Sequence, residues 1–203
     1  MPNLYLFDSD GVIFDSLPVI TEVFNILSGK YHLGRRFSEE EFALLFTQNI
    51  HYRFKEFGLE GRKAESFLKD KSEMYLDRIN EFRIFPGMKD VMGKLSGKGV
   101  VVIISSNNQA LLEELAKKHG LSFVKEILGS EVERSKVKKI LMMKEKYAHE
   151  KAYYIGDTTG DIAEARKGGV VPVAVTWGFH NRALLEGANP DFIFDRPEEL
   201  LNL

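Results

Sequence analysis

The sequence predicts an α/β protein built on a parallel sheet with helices on both faces. Short continuous apolar runs at 4–7, 100–104, 152–155 and 170–175 each stop at polar or glycine residues. Runs of this kind are typical of strands that are buried on both faces. Segments with apolar residues at helical spacing lie between the later runs. This alternation of strand and helix indicates parallel pairing with right-handed crossovers.

The elements follow one another in a regular order along the second half of the chain. Helical patterns occupy 111–116, 137–147 and 162–166, and the first and last of these stop at Gly120 and at Gly168-Gly169. Glycine at such a position is a common helix terminator. A weaker apolar run at 192–194 is the last candidate strand.

Residues 17–82 interrupt this alternation of strands and helices, because they contain no strand-like run. Four apolar stripes at helical spacing occur there instead. We interpret the segment as a small all-helical unit, the helical insert (residues 17–82), placed between the first and second strands. Residues 1–16 and 83–203 then form a Rossmann-like core, to which Phe85-Pro86-Gly87 marks the return.

Composition excludes several classes of protein. The chain has 203 residues, 44% hydrophobic and 29% charged, which is ordinary for a globular protein and argues against disorder. A net charge of −2 gives no argument for a nucleic-acid or membrane partner, and no apolar run approaches the length of a membrane span. The absence of cysteine excludes disulfides and thiolate chemistry, and it fits a cytoplasmic location. Composition does not determine the oligomeric state.

The polar residues that follow the predicted strands are the candidates for function, because ligands bind at the carboxyl ends of parallel strands. They are Asp8, Asp10, Ser105, Asn107, Asp157 and Asp161. Asp8 and Asp10 share one face of an extended chain, and Asp157 and Asp161 are four residues apart at the start of a helix. Together the two pairs would make an oxygen-rich site that suits Mg²⁺. Taken singly, the first pair is also compatible with a plain turn and Asp157 with a helix N-cap.

Four segments in this order resemble the motifs of the haloacid dehalogenase-like hydrolase superfamily of aspartate-nucleophile phosphatases. LYLFDSDGVIFDS is similar to its first motif, VVVIISSNN to its second and YYIGDTTGDIAEARKGGV to its fourth, and Lys136 stands where the third-motif lysine would be. The resemblance covers nearly the whole chain. The tail WGFHNRALLEGANPDFIFDRPEEL resembles the phosphoglycolate phosphatase and β-phosphoglucomutase branch.

The resemblance implies catalytic roles for four residues. Asp8 would be the nucleophile that forms an aspartyl-phosphate, and Asp10 the general acid and base. Ser105 would hydrogen-bond the transferring phosphate, and Lys136 would neutralise that phosphate and Asp8. Lys138 and Lys139 remain alternatives to Lys136, because Val137 replaces the frequent proline after it.

The resemblance also implies two sets of binding residues. Mg²⁺ would be held by Asp8, Asp10 through its backbone carbonyl, Asp157 and Asp161. Phosphate would be bound by Gly11, Ser106 and Asn107, the first two through backbone N–H groups, although contact between Asn107 and substrate stays open. Within the helical insert, which the family uses as a cap, the polar cluster that could read the rest of the substrate is Thr47, Gln48, Asn49, His51 and Arg53.

The implied function is a Mg²⁺-dependent phosphatase acting on a small phosphorylated metabolite, such as a phosphoglycolate-like or sugar phosphate. Asp10 favours phosphate esters over carbon–halogen bonds, since a halide leaving group needs no acid. Three alternatives remain: a phosphomutase of the same superfamily, a response-regulator-like phosphoacceptor and a non-catalytic binding relative. The sequence names no particular substrate.

Overall fold

The computed structural model describes residues 1–47 and 50–203, and its core is a six-stranded parallel sheet. The strands in chain order are β1 (Asn3–Phe7), β2 (Phe14–Asp15), β3 (Arg83–Ile84), β4 (Gly99–Ile104), β5 (Glu126–Leu128), β6 (Ala152–Gly156), β7 (Val171–Val175) and β8 (Phe192–Phe194). The sheet has the order β5-β4-β1-β6-β7-β8, with every pair parallel. Strands β2 and β3 form a separate antiparallel ribbon. The predicted α/β class with a parallel sheet is confirmed.

The helices cover both faces of this sheet. They are α1 (Leu17–Lys30), α2 (Glu39–Ala43), α3 (Gly61–Asp77), α4 (Met88–Ser96), α5 (Gln109–His119), α6 (Lys136–Lys146), α7 (Thr159–Gly168) and α8 (Arg182–Gly187). Three 3₁₀ helices lie at Leu44–Thr47, Ile50–Phe57 and Pro197–Asn202. Among the described residues, no helix has the length and apolar character needed to cross a bilayer.

Alternating side chains of the strands pack on opposite faces, as the pleat requires. On β1, Tyr5 and Phe7 belong to the apolar cluster that also contains residues of α4 and α5. Leu4 and Leu6 belong to the second cluster, which contains Ile140 of α6 and other residues of α6 and α7. Because these strands are buried on both faces, they read as continuous apolar runs in the sequence.

The helical insert enters and leaves through the β2–β3 ribbon. Helices α1, α2 and α3 and two of the 3₁₀ helices fall within it, and none of its described residues is in a strand. Its aromatic residues pack mainly on each other around Phe24, whose ring lies 5.0 Å from that of Phe42 and 5.7 Å from that of Phe67. The sequence stripes therefore predicted the helical character of this segment correctly.

Candidate active site

Strand register brings the candidate residues to one edge of the sheet. Phe7 of β1 pairs with Ile103 of β4 and with Ile155 of β6, so the three strands end at nearly the same level. The next residues, which include Asp8, Ser105 and Asp157, therefore emerge side by side although they are far apart in sequence. All three are buried. They line one cavity with an empty volume of about 410 Å³, together with Asp10, Ser106, Lys136 and Asp161.

Lys136 is the lysine whose ammonium group reaches the buried carboxylates. Its Nζ lies 2.9 Å from Asp8 Oδ2 and 2.7 Å from Asp161 Oδ1. Lys138 Nζ instead contacts Glu133 at the surface, and Lys139 Nζ donates to backbone carbonyls, including that of Leu128 at 3.2 Å. The N-terminal position of Lys136 on α6, after the N-cap Ser135, turns its side chain toward the ends of β1 and β6.

Asp157 and Asp161 are held in different ways. The N-cap of α7 is Thr158, and Asp161 completes a capping box by accepting from Thr158 Oγ1 at 2.6 Å and from its backbone N–H at 3.2 Å. Asp157 Oδ2 accepts from the backbone N–H of Phe179 at 2.7 Å. Its other oxygen, Oδ1, is buried and has no hydrogen-bond partner in the described part of the chain.

Burial and like charges shift the pKa values in this cluster. Burial raises the pKa of Asp8 to about 7, which Lys136 opposes and Asp161 reinforces. Burial, with Asp161 and Asp8, raises the pKa of Asp157 well above its usual value. Burial alone would lower the pKa of Lys136, but the carboxylates of Asp161 and Asp8 outweigh that effect and raise it well above the ordinary lysine value.

The residues present fit a hard divalent cation. Carboxylate oxygens of Asp8, Asp157 and Asp161 lie within 4.8 Å of one another. The Lys136 ammonium group pairs with Asp8 and Asp161, and no ammonium group of the described residues pairs with Asp157, so the three carboxylates in their ionised form would leave an excess of negative charge in a buried site. The unpaired Oδ1 of Asp157 is costly to bury unless it has a cationic or hydrogen-bonding partner. An all-oxygen donor set of this kind suits Mg²⁺.

Asp10 lies beside this cluster and is fixed by both of its carboxylate oxygens. Ser16 Oγ donates to Oδ1 at 2.8 Å, and the side-chain amide of Asn107 donates to Oδ2 at 2.6 Å. Burial raises the pKa of Asp10, although Ser16, Lys71 and other neighbours partly counter this. Ser105 Oγ accepts from the backbone N–H of Asn107 at 3.0 Å, which links the end of β4 to Asp10 through Asn107.

Two of the residues expected to bind phosphate have hydrogen-bond partners within the chain. The backbone N–H of Gly11 donates to the Phe14 carbonyl at 2.9 Å, so this turn already uses the group expected to bind phosphate. Gly11 instead permits close packing: it has φ +75°, and a Cβ there would lie 1.9 Å from Asp157 Oδ2. The amide of Asn107 likewise points to Asp10. Ser106 lines the cavity.

The helical insert closes over the strand ends. The ring of Phe46 lies 5.1 Å from that of Phe179, and His180 Nε2 donates to the Ala43 carbonyl at 3.0 Å. In the polar cluster expected to read the substrate, Arg53 donates to Thr47 Oγ1 at 2.8 Å, so these two residues bind each other. Gln48, Asn49 and the side chain of His51 lie outside the described residues.

Sequence reasoning missed Lys71 of α3. Its Nζ lies 3.5 Å from Asn107 Oδ1, and the residue lines a second cavity next to the first. A signal was present in the sequence, because Lys71 occupies the same helical stripe as Phe67 and Tyr75 at spacings of four. A lysine within an otherwise apolar stripe faces the interior.

Comparisons with known proteins agree with this geometry. The sequence model of the haloacid dehalogenase-like hydrolases matches residues 5–175. A phosphoglycolate phosphatase from Synechococcus elongatus is 27% identical over 200 residues, which cover 97% of this chain and 94% of that protein. Phosphoglycolate phosphatase 1 from Pseudomonas aeruginosa is 25% identical over 218 residues, covering 99% of this chain and 79% of the relative.

A solved structure shows the same fold. A haloacid dehalogenase-like family hydrolase from Streptococcus pneumoniae superimposes with a TM-score of 0.80 at 25% identity, over 100% of this chain and 97% of the other. The family match spans most of the sheet and the strand ends where the carboxylates converge. The chain therefore belongs to the haloacid dehalogenase-like hydrolase family, as a phosphatase.

Proposed function

We propose that this phosphatase depends on Mg²⁺ and hydrolyses small phosphomonoesters through an aspartyl-phosphate formed on Asp8. The observation that carries the proposal is the buried cluster of Asp8, Asp157 and Asp161, in which Lys136 pairs with the first and the last and Asp157 Oδ1 is unpaired among the described residues. Such a cluster is unfavourable by itself, because burial and mutual repulsion disfavour the ionised carboxylates. It becomes favourable when the site binds a cation.

The three carboxylates, with the backbone carbonyl of Asp10, would hold the metal ion. Bound there, Mg²⁺ supplies positive charge that offsets the repulsion between an anionic phosphate and the carboxylates. Lys136 contributes a fixed positive charge 2.9 Å from Asp8 Oδ2. Ser105, buried at the end of β4, offers a hydroxyl donor to a phosphate oxygen.

The proposed reaction has two steps, formation of the aspartyl-phosphate and its hydrolysis. An oxygen of Asp8 attacks phosphorus, the ester P–O bond breaks, and Asp10 gives its proton to the leaving oxygen. In the second half, Asp10 takes a proton from water as that water attacks phosphorus. This step breaks the bond to Asp8 and releases inorganic phosphate. The raised pKa of Asp10 suits a group that must carry a proton in one half and accept one in the other.

Residues 17–82 serve in this proposal as a cap domain, and 1–16 with 83–203 as the catalytic core. The contacts from Phe46 to Phe179 and from His180 to Ala43 support this division, since they hold helical elements of the insert over the strand ends. A lid in that place limits substrates to small molecules and excludes water from the reacting atoms. Charge keeps the phosphorylated metabolites that a cell makes inside its membrane, so an enzyme that acts on them would be cytoplasmic.

A phosphomutase would share the residues described so far and differ in what the cap holds. It must retain a phosphorylated polyol while that molecule reorients. Five of the eleven residues that line the cavity on the cap side of Asp10 are phenylalanine, which offers no hydrogen bond to a hydroxyl group. The structure therefore supports hydrolysis better than isomerisation.

The proposal is tested by measuring phosphate release from a panel of phosphomonoesters with Mg²⁺ and with EDTA. We expect activity only with the metal, loss of activity in Asp8→Asn, and a phosphorylated Asp8 in peptides from acid-quenched enzyme. Asp77→Asn, an exposed carboxylate on α3, is the matched control and should remain active. Full activity in EDTA or in Asp8→Asn would refute the mechanism. An isomerised sugar phosphate without free phosphate would favour the mutase.

A further inference from the structure

Two cavities meet at Asp10. One contains Asp8, Lys136 and Asp157, and has an empty volume of about 410 Å³. The other, which we call the aromatic pocket, has an empty volume of about 460 Å³ and lies between α3 and the loop after β4. Asp10, Phe46 and Ser106 line both. If Asp10 protonates the leaving oxygen, phosphate occupies the first cavity and the rest of the substrate must occupy the aromatic pocket.

The walls of the aromatic pocket are strongly apolar. The aromatic residues that line it are Phe24, Phe42, Phe46, Phe54, Phe67 and Tyr75. Such walls favour a leaving group with a small apolar body, because burying apolar surface releases about 25 cal/mol per Å². A polyol would lose hydrogen bonds to water there and could replace only some of them, because the non-aromatic polar lining residues are limited to Asp10, Lys71, Ser106 and Asn107.

Lys71 places one positive charge in this apolar wall. Of the described residues that line the pocket, it is the one cation. Its Nζ lies 5.3 Å from the centre of the Tyr75 ring and 3.5 Å from Asn107 Oδ1. The second distance is long for a hydrogen bond from an ammonium group, so the amide is a weak partner. The described residues place no carboxylate within ion-pair distance of Lys71.

A half-buried ammonium group without a close counter-ion is well suited to bind an anion. Burial lowers the pKa of Lys71, and the charge of Asp10 opposes that effect. An incoming carboxylate or similar group would replace lost hydration and form a charge-assisted hydrogen bond. Because Lys71 lies on the cap side of Asp10, this contact would select among leaving groups and would not involve the phosphoryl group.

We propose that Lys71 and the aromatic pocket bind the leaving group, and that this group combines a small apolar body with one anionic substituent. The inference rests on the proposed function, since it takes Asp10 as the acid that faces the leaving oxygen. Lys71 is then a specificity-determining residue of the helical insert. Phosphorylated polyols are poor substrates by the same reasoning.

The test compares phenyl phosphate with 4-carboxyphenyl phosphate, which differ by one anionic group at the end far from phosphorus. Wild-type enzyme should prefer the carboxylate in kcat/KM. Lys71→Met should lower kcat/KM by roughly 10- to 100-fold for 4-carboxyphenyl phosphate, the effect of losing a hydrogen bond to a charged group, and by less than about threefold for phenyl phosphate. Lys71→Arg should restore the preference. Lys69→Met, whose ammonium is exposed on the same helix, is the control.

The following results would contradict the inference about Lys71 and the aromatic pocket. Equal losses on both esters in Lys71→Met would show that the lysine acts only through Asp10, and an unchanged ratio would show that it does not contact the substrate. Glucose 6-phosphate as the best substrate would contradict the apolar pocket. These results overturn the inference alone, whereas absence of phosphate release from every ester overturns the proposed function and the inference with it. If Lys71→Met does not fold, the comparison is made with Lys71→Gln.

Discussion

The side-chain amide of Asn107 donates to Oδ2 of Asp10 at 2.6 Å, across 97 residues of sequence. Ser16 Oγ donates to the other oxygen at 2.8 Å, so the carboxyl group of Asp10 is fixed on both sides. A proton donor must face its target oxygen within hydrogen-bond distance, and this pair of contacts sets the orientation. Asn107 is therefore a positioning residue in the proposed mechanism.

We expect Asp10→Asn to lose most of its turnover and to keep its fold. General acid catalysis contributes about 10²- to 10⁴-fold, and an amide cannot supply the proton. The loss should be larger for phenyl phosphate than for 4-nitrophenyl phosphate, because 4-nitrophenolate leaves without protonation. Steady-state kinetics on both esters, with a melting curve for the fold, measures this. Undiminished hydrolysis of phenyl phosphate by the variant would show that Asp10 is not the general acid.

Replacement of Asn107 by alanine should give a weaker version of the same effect. Asp10 keeps its acid group and the Ser16 contact, but loses one of the two bonds that orient it. We expect kcat for phenyl phosphate to fall by about fivefold, with KM little changed, since one net hydrogen bond contributes about 1 kcal/mol. A loss that is the same for 4-nitrophenyl phosphate would mean that Asn107 acts on the phosphoryl group.

Mg²⁺ should stabilise the protein through Asp157. A 100-fold excess of Mg²⁺ over its Kd should raise Tm by about 5–10 °C in the wild type. In Asp157→Asn the gain should be much smaller, because an uncharged amide with a single oxygen replaces a carboxylate whose Oδ1 is unpaired among the described residues. Thermal unfolding with and without Mg²⁺ measures both, with Asp77→Asn as the control. An equal gain in Asp157→Asn would contradict the metal site.

The gain from Mg²⁺ should also depend on pH. Burial, with Asp161 and Asp8, raises the folded-state pKa of Asp157. Without metal, a raised carboxyl pKa means that stability falls as pH rises from the ordinary carboxyl value through the folded-state value. Mg²⁺ binds the ionised form and removes this loss. The increase in Tm should therefore be larger at pH 8 than at pH 5, and the reverse order would contradict the assignment.

His180 should make stability pH-dependent on the acid side. Its Nδ1 accepts from the Thr159 N–H at 3.1 Å, and its Nε2 donates to the Ala43 carbonyl at 3.0 Å. Protonation would place a second proton against an N–H donor, and burial lowers the His180 pKa. With the folded-state pKa below the unfolded one, stability is complete above the usual histidine value and is lost as pH falls through the folded-state pKa.

We therefore expect His180→Gln to show a weaker decline in unfolding free energy between pH 7 and pH 5 than the wild type. At pH 7 the variant should be less stable by about 1–2 kcal/mol, because glutamine does not reproduce both contacts. Urea unfolding at the two pH values provides the measurement, and His149→Gln serves as the control. A wild-type pH dependence in His180→Gln would assign the effect to another group.

Local pattern was sufficient to predict the sheet and most of its strands. Continuous apolar runs mark strands that are buried on both faces, and five of the six sheet strands were read from them. The missed strand, β5, has three residues, and its register with β4 is set by pairing, not by its own sequence. Strands β2 and β3, with two residues each, likewise exist only because the two ends of the insert meet.

The candidate carboxylates could also be predicted from the sequence, because the residues that follow parallel strands lie at a common edge of the sheet. Asp8, Asp157 and Asp161 were selected on that basis, and the structure brings them within 4.8 Å. The sequence left three lysines open, and only the direction of α6 brings Lys136 to the carboxylates while Lys139 meets backbone carbonyls.

Contacts between segments that are distant in sequence decided where the other polar groups of the site point. Gly11 directs its N–H to Phe14 because of the turn it forms, and Asn107 points to Asp10 because β4 lies beside β1. Lys71 reaches the site because α3 folds back over the loop after β4. The sequence alone thus determined the strand ends and the acidic residues they carry, since both follow from short-range periodicity. Tertiary packing decided where each side chain points, because that depends on partners which no local pattern specifies.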